Sequence, residues 1–199
     1  MNFINFIKKI EKIKNIDIGR KFNLDDIKEL KFNLDNKINS KICFKNVSYN
    51  IIIINEEYNT IKFDEDIIKE NIKKCDFVFF IIVGFLKDEY HVASLIIDNK
   101  VKKVILFDNK NNNYIKNTSK FFMNKINIDY KFISIKLINK NNYDKLIFCE
   151  ICVPISLLFI YVYINYNVSL DDFIKFLLKN TIRYKTELMY KFIKFLEND

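Results

Sequence analysis

From Ile151 to Asn167 the chain runs ICVPISLLFIYVYINYN, seventeen residues without a charge. The only proline of the 199 residues stands third after Ile151. Proline is accepted in a helix only within the first turn, where its missing N–H breaks no hydrogen bond. Pro154 therefore marks the start of an apolar helix rather than its middle. The run is short for a membrane span and ends on Asn165 and Asn167. A buried central helix is the expectation, and such a helix demands a second layer to cover it.

That second layer is legible upstream. FVFFIIVGF (77–85) is too short to cross a bilayer and fits a strand buried on both faces. YHVASLII (90–97) reads as a strand, DNK (98–100) as a turn, and VKKVILF (101–107) as the hairpin partner. Residues 42–44, 49–54 and 130–138 add further strand-like segments. Helices are expected over much of the first forty residues, including 23–34, and over 64–74, 115–125, 170–179 and 182–196. Ser169 with Asp172 has the spacing of a capping box. The class is α+β: a central mixed sheet packed on a buried helix. The expected division is a helical extension over 1–40 and one domain over 41–199.

Composition excludes more than it selects. The formal charge is +8, yet only Arg20 and Arg183 are arginines, and lysine is scattered along the chain. Nucleic-acid readers favour arginine forks or tight basic clusters, so specific nucleic-acid binding is not expected. The bias toward Ile, Asn and Lys, with 2 Gly and 1 Pro, is what an AT-rich coding sequence imposes. Four cysteines are too few for a disulfide scaffold, and the N-terminus lacks the pattern of a signal peptide. A reducing cytoplasmic or nuclear compartment follows, with no membrane span, no cofactor and no metal. One C-x-x-C with Cys43 and Cys75 isolated falls short of a zinc pattern.

The chemistry gathers at the start of the apolar helix. Cys152 lies two residues before Pro154. Unpaired N–H groups and the helix dipole favour negative charge there, which activates a thiol as a nucleophile. Such a thiol needs a base. The chain holds a single histidine, His91, at the head of the 90–97 strand. Asp108 ends the partner strand, so the hairpin makes the two neighbours, and a carboxylate orients an imidazole.

The stretches HVASLIIDNKVKKVILFDNK (91–110) and CVPISLLFIYVYINYNVSLDDFIKFLL (152–178) together resemble the ubiquitin-like-protein protease and adenovirus-protease superfamily of cysteine peptidases, and the second stretch is similar to forms in large DNA viruses. The resemblance covers roughly residues 76–180. It implies a papain-like architecture, with Cys152 as nucleophile, His91 as base and Asp108 as the residue orienting it. It implies amide hydrolysis through a thioester acyl-enzyme. The partner would be a protein or polyprotein substrate, such as a ubiquitin-like protein. Three positions depart from the family's pattern. The Gln usual six residues before the nucleophile is Leu146, and the chain has no Gln at all. Asn141 and Asn142 are the candidate oxyanion donors in its place. Val92 follows the histidine where the family often has Trp, and Val153 follows the cysteine where a eukaryotic branch has Gly.

Rival readings stay open at this level. Cys149-Glu-Ile-Cys152 has the spacing of a thiol–disulfide oxidoreductase. The same triad serves acetyltransferases that resemble these proteases. A pseudoprotease that keeps the fold as an interaction module would account for the missing Gln.

Overall fold

The computed structural model describes residues 2–39, 47–87, 90–134 and 151–198. The chain divides into two compact units, Cys43–Lys136 and a helical unit built from Met1–Ile42 with Leu137–Asp199.

The first unit is a six-stranded mixed sheet. Its strands are β1 (Val47–Asn55), β2 (Thr60–Lys62), β3 (Phe77–Phe85), β4 (Tyr90–Asp98), β5 (Lys103–Phe107) and β6 (Lys131–Ser134), in the order β2-β1-β3-β4-β5-β6. β1 and β3 pair in parallel from Val47↔Phe77 to Asn55↔Phe85, as do β5 and β6. The remaining neighbours are antiparallel. The parallel β1–β3 pair requires a crossover, which helix α3 (Glu65–Lys74) supplies. Helix α4 (Asn113–Lys125) lies between β5 and β6 in sequence.

Side chains alternate across a strand with period two, and the core of this unit follows that period. Val78, Phe80 and Ile82 of β3 join Ala93, Leu95 and Ile97 of β4 and Val104 and Leu106 of β5 in one buried cluster. Ile68 of α3 and Ile115, Phe122 and Met123 of α4 complete it. Phe122 anchors it, with ring contacts to Phe63 at 4.9 Å and Phe80 at 5.2 Å. Phe79, Ile81 and Val83 on the opposite face of β3 are also fully buried. The unbroken apolar run at 77–85 is therefore a central strand, as expected.

The helical unit holds α1 (Phe3–Ile10), α2 (Leu24–Asn39), α5 (Cys152–Tyr166), α6 (Leu170–Lys179) and α7 (Ile182–Glu197). The expected apolar helix is α5, and every residue from Cys152 to Ile164 is buried. It stops at Asn167, whose backbone is left-handed (φ 54°). Phe6 of α1 sits amid Tyr161 (4.9 Å), Tyr166 (5.3 Å), Phe195 (5.5 Å) and Phe192 (6.3 Å). The start of α2 is a reciprocal cap. Asn23 Oδ1 accepts from the N–H groups of Asp25 (2.8 Å) and Asp26 (2.9 Å), and Asp26 Oδ2 accepts from Asn23 N (2.8 Å). Arg20 then pairs with both Asp26 and Glu197.

Several boundaries differ from the sequence expectation for identifiable reasons. Residues 11–23 are not helical, and both Asn15 and Gly19 adopt positive φ there. Helix α2 continues past Leu34 because Ile38 extends the buried row of Ile27, Leu30 and Leu34. Strand β5 begins at Lys103, since Lys102 takes φ 51° and belongs with Val101 to the turn. Strand β2 is three residues long and mostly exposed, too little pattern to read. The strand expected at 42–44 and the end of the one at 130–138 lie outside the described residues. Among the described residues no helix is long and apolar enough to cross a membrane.

In a chain with 2 Gly, turns that need positive φ fall to other residues. Among the described residues Asn15, Asn59, Asn111, Asn127 and Asn167 carry five of the six such positions outside glycine, with Lys102 the sixth. Asparagine is the residue whose short polar side chain best tolerates that region.

Candidate functional site

In the sheet unit, His91 occupies the second position of β4, opposite Gly84 of β3. Pairing of β4 with β5 runs from Asp98↔Lys103 to Ser94↔Phe107. Continued by one residue, that ladder sets Asp108 opposite Ala93. His91 is two residues along from Ala93, so it is the diagonal neighbour of Asp108 on the same face. The side chains meet there: His91 Nε2 lies 2.7 Å from Asp108 Oδ1, with both residues buried (0% and 3% exposed).

A carboxylate only accepts, so the Nε2–H donates to it. In the neutral ring this leaves the lone pair on Nδ1, the nitrogen that could then take a proton.

The Asp108 carboxylate has further partners. Oδ1 accepts from Lys110 N (2.9 Å) and Oδ2 from Asn112 N (2.7 Å). The Asp108 carbonyl also accepts from Asn111 N (3.1 Å), which the left-handed Asn111 (φ 50°) brings round. A buried carboxylate is costly unless hydrogen-bonded, and here three N–H donors meet it. Residues 109–113 are a polar loop in which no side chain stands out as a partner for Asp108. The loop meets the Asp108 carboxylate through main-chain N–H groups. The available signal was an Asp followed by an Asn-rich run leading into a helix, the pattern of an Asx turn and an N-cap.

In the helical unit, Cys152 is the first residue of α5 and 6% exposed. Pro154 stands third in that helix, inside the first turn as required. The preceding Ile151 offers no side-chain cap, and Ile155 N closes the first turn onto the Ile151 carbonyl at 3.0 Å. The N–H groups of Cys152 and Val153 fall in the part of a helix that has no partner within it.

The structure thus brings His91 and Asp108 together and sets Cys152 at a helix start. Asn141, Asn142, Leu146 and Cys149 lie outside the described residues. Cys75, at the end of α3, has its thiol pushed up by burial and by neighbouring Asp76. Among the described residues no three His, Cys, Asp or Glu side chains gather as metal ligands would. A groove of about 450 Å³ in the sheet unit is lined by Ile61, Phe63, Tyr114, Thr118, Phe121 and Lys125 and includes neither His91 nor Asp108.

No protein-family model matches the sequence, and no curated relative matches it. Solved structures do match. ChlaDub1 from Chlamydia trachomatis covers 94% of this chain over 94% of its own, with 9% identity and a TM-score of 0.55. The ASFV pS273R protease covers 81% of this chain over 65% of its own, at 15% identity and a TM-score of 0.48. The C-terminal protease domain of yeast Ulp1, solved in complex with Smt3, the yeast ortholog of SUMO, covers 97% over 93%, at 16% identity and a TM-score of 0.43. The chain shares the fold of ChlaDub1, an α+β arrangement of a mixed sheet and helices.

Proposed function

We propose that the protein is a cysteine peptidase of the ubiquitin-like-protein protease type. Cys152 is the nucleophile, His91 the general base and Asp108 the residue that orients the imidazole. The observation that supports this most is the buried His91–Asp108 pair, whose carboxylate is held at both oxygens. A chain with one histidine has buried it against a clamped acid at the end of a strand. The start of α5 without a side-chain cap supports the other half, since it leaves main-chain donors for an anion.

In this reading His91 Nδ1 takes the Cys152 proton, and the thiolate attacks the carbonyl carbon of the substrate amide. Negative charge develops on the carbonyl oxygen, and the N–H groups of Cys152 and Val153 are its donors. The leaving amine takes the proton from the imidazolium, which Asp108 stabilises. Water then hydrolyses the thioester, with His91 as base again. The substrate is a protein, and the sequence resemblance makes the tail of a ubiquitin-like protein the first one to try.

The test is iodoacetamide labelling of the intact protein across pH, read cysteine by cysteine by mass spectrometry. Cys75, raised by burial, is the slow internal reference. Cys152 is expected to react well below the pH at which Cys75 does, and to lose that advantage in His91→Ala. Cys152→Ala is expected to abolish cleavage of a ubiquitin-like precursor while leaving the fold intact. A folded protein whose Cys152 stays inert would refute the peptidase and favour a binding module, the reading that the absent Gln supports.

A further inference from the structure

We propose that Asn112 is a positioning residue for the His91–Asp108 pair. The inference rests on the reading of that pair as catalytic, but its geometry stands apart from Cys152.

Asn112 performs two tasks at one point of the chain. Its side-chain Oδ1 caps α4, accepting from Tyr114 N (2.8 Å) and Ile115 N (3.1 Å). Its own N–H donates to Asp108 Oδ2 at 2.7 Å. The cap fixes where α4 begins, and therefore where that N–H points. Helix α4 is itself held firmly. Ile115 and Phe122 are buried in the core of the sheet unit, and Tyr114 Oη reaches the Asn55 carbonyl (3.3 Å) and Asn59 Oδ1 (3.2 Å).

The two carboxylate oxygens have different keepers. Oδ1 serves His91 and Lys110 N, whereas Oδ2 accepts from Asn112 N. A carboxylate secured at both oxygens cannot rotate about its Cβ–Cγ bond. Released at Oδ2, it can swing, and Oδ1 then leaves the line of the Nε2–H. Asn112 thus transmits the rigidity of α4 to the imidazole through Asp108. It touches neither His91 nor any reacting atom.

The single histidine makes the test direct, because its ring signals need no assignment. The full ¹⁵N-labelled chain is followed by imidazole NMR across pH. The wild type is expected to show the Nε2–H tautomer with a hydrogen-bonded ring proton. Asn112→Ala removes the capping oxygen. It is expected to weaken that proton signal, mix the tautomers and lower the His91 titration midpoint, since a carboxylate partner favours the imidazolium. Asn112→Ser keeps a capping oxygen and is expected to restore all three. Asn112→Gly serves if the alanine variant fails to fold, because glycine at a cap costs only a few tenths of a kcal/mol. Ser169→Ala is the control: it deletes the cap of α6, in the helical unit, and is expected to lower stability without moving the His91 signals.

The proposal is overturned if Asn112→Ala, or the glycine variant in its place, moves those signals no more than Ser169→Ala does. It is equally overturned if Asn112→Ser fails to restore them. In the enzyme, kcat is expected to fall on the order of tenfold or more with KM unchanged. A Cys152 that proves inert while His91 still responds to Asn112 sinks the peptidase and leaves the coupling standing.

Discussion

Replacing Phe6 with alanine tests whether the N-terminal helix is part of the helical core or an appendage to it. Phe6 is fully buried, and four aromatic rings surround it within 6.3 Å. One of them, Tyr161, belongs to the helix that begins at Cys152. Truncation of a buried phenylalanine typically costs about 3–5 kcal/mol in lost transfer energy and cavity. Edge and stacked ring contacts add about 0.5–1.5 kcal/mol per good pair, which keeps this site clear of the lower end of that range. A loss of about 4 kcal/mol is expected, a large share of the roughly 5–15 kcal/mol that holds a domain folded. At about 2–4 °C per kcal/mol for a chain of this size, Tm drops by roughly 8–16 °C. Phe6→Leu, which keeps most of the volume, is expected to cost about 1.5 kcal/mol. The assay is urea unfolding followed by tyrosine fluorescence, since the chain has 11 Tyr and no Trp. A loss below about 1 kcal/mol for the alanine variant would refute the reasoning, because an appended helix can be damaged without weakening what it is appended to.

Three further outcomes are expected. Ser94 is fully buried on β4, and its hydroxyl finds no partner among the described residues. Ser94→Ala is therefore expected to be neutral or to stabilise by up to about 1 kcal/mol in urea unfolding. Asn167→Gly is expected to hold or slightly raise Tm, and Asn167→Val to cost about 1–2 kcal/mol, because a β-branched residue resists the left-handed cap of α5. Asp26 has its carboxyl held below the usual range by the Asn23 N–H and then by Arg20. A depressed carboxyl contributes stability above its unfolded value, near 3.8, and loses it as pH falls through the folded one. The stability gap between wild type and Asp26→Asn should be open at pH 7 and shrink as pH falls below the ordinary carboxyl range.

Local physics decided what could be read from the sequence. Strand β3 was legible as a nine-residue apolar run, and β4 as a β-rich segment closed by the turn at 98–100. The His91–Asp108 pair was legible because a hairpin register is set by its turn, within seventeen residues. The end of α2 was missed because Asn36 and Lys37 interrupt its apolar row just before Ile38, which only tertiary burial marks as core. The donors to Asp108 escaped because a main-chain N–H carries no letter of its own. Their positions depend on Asn111 entering the left-handed region, a choice that the loop makes as a whole. Strand β2 depends on β1 to exist, so its three residues announce nothing alone.

The asparagines at positive φ also say something about how this fold survives its own coding bias. Glycine codons open on GG, and asparagine codons open on AA. A gene drifting toward A and T loses glycine steadily, yet every chain that reverses direction needs residues able to bend the left-handed way. Asparagine is a residue that such a gene supplies freely and that tolerates the turn well, and among the described residues only Lys102 joins it at these positions outside glycine. At Asn111 such a turn folds the loop back onto Asp108. The described turns of this chain are thus written mostly in asparagine at positions where glycine would serve as well.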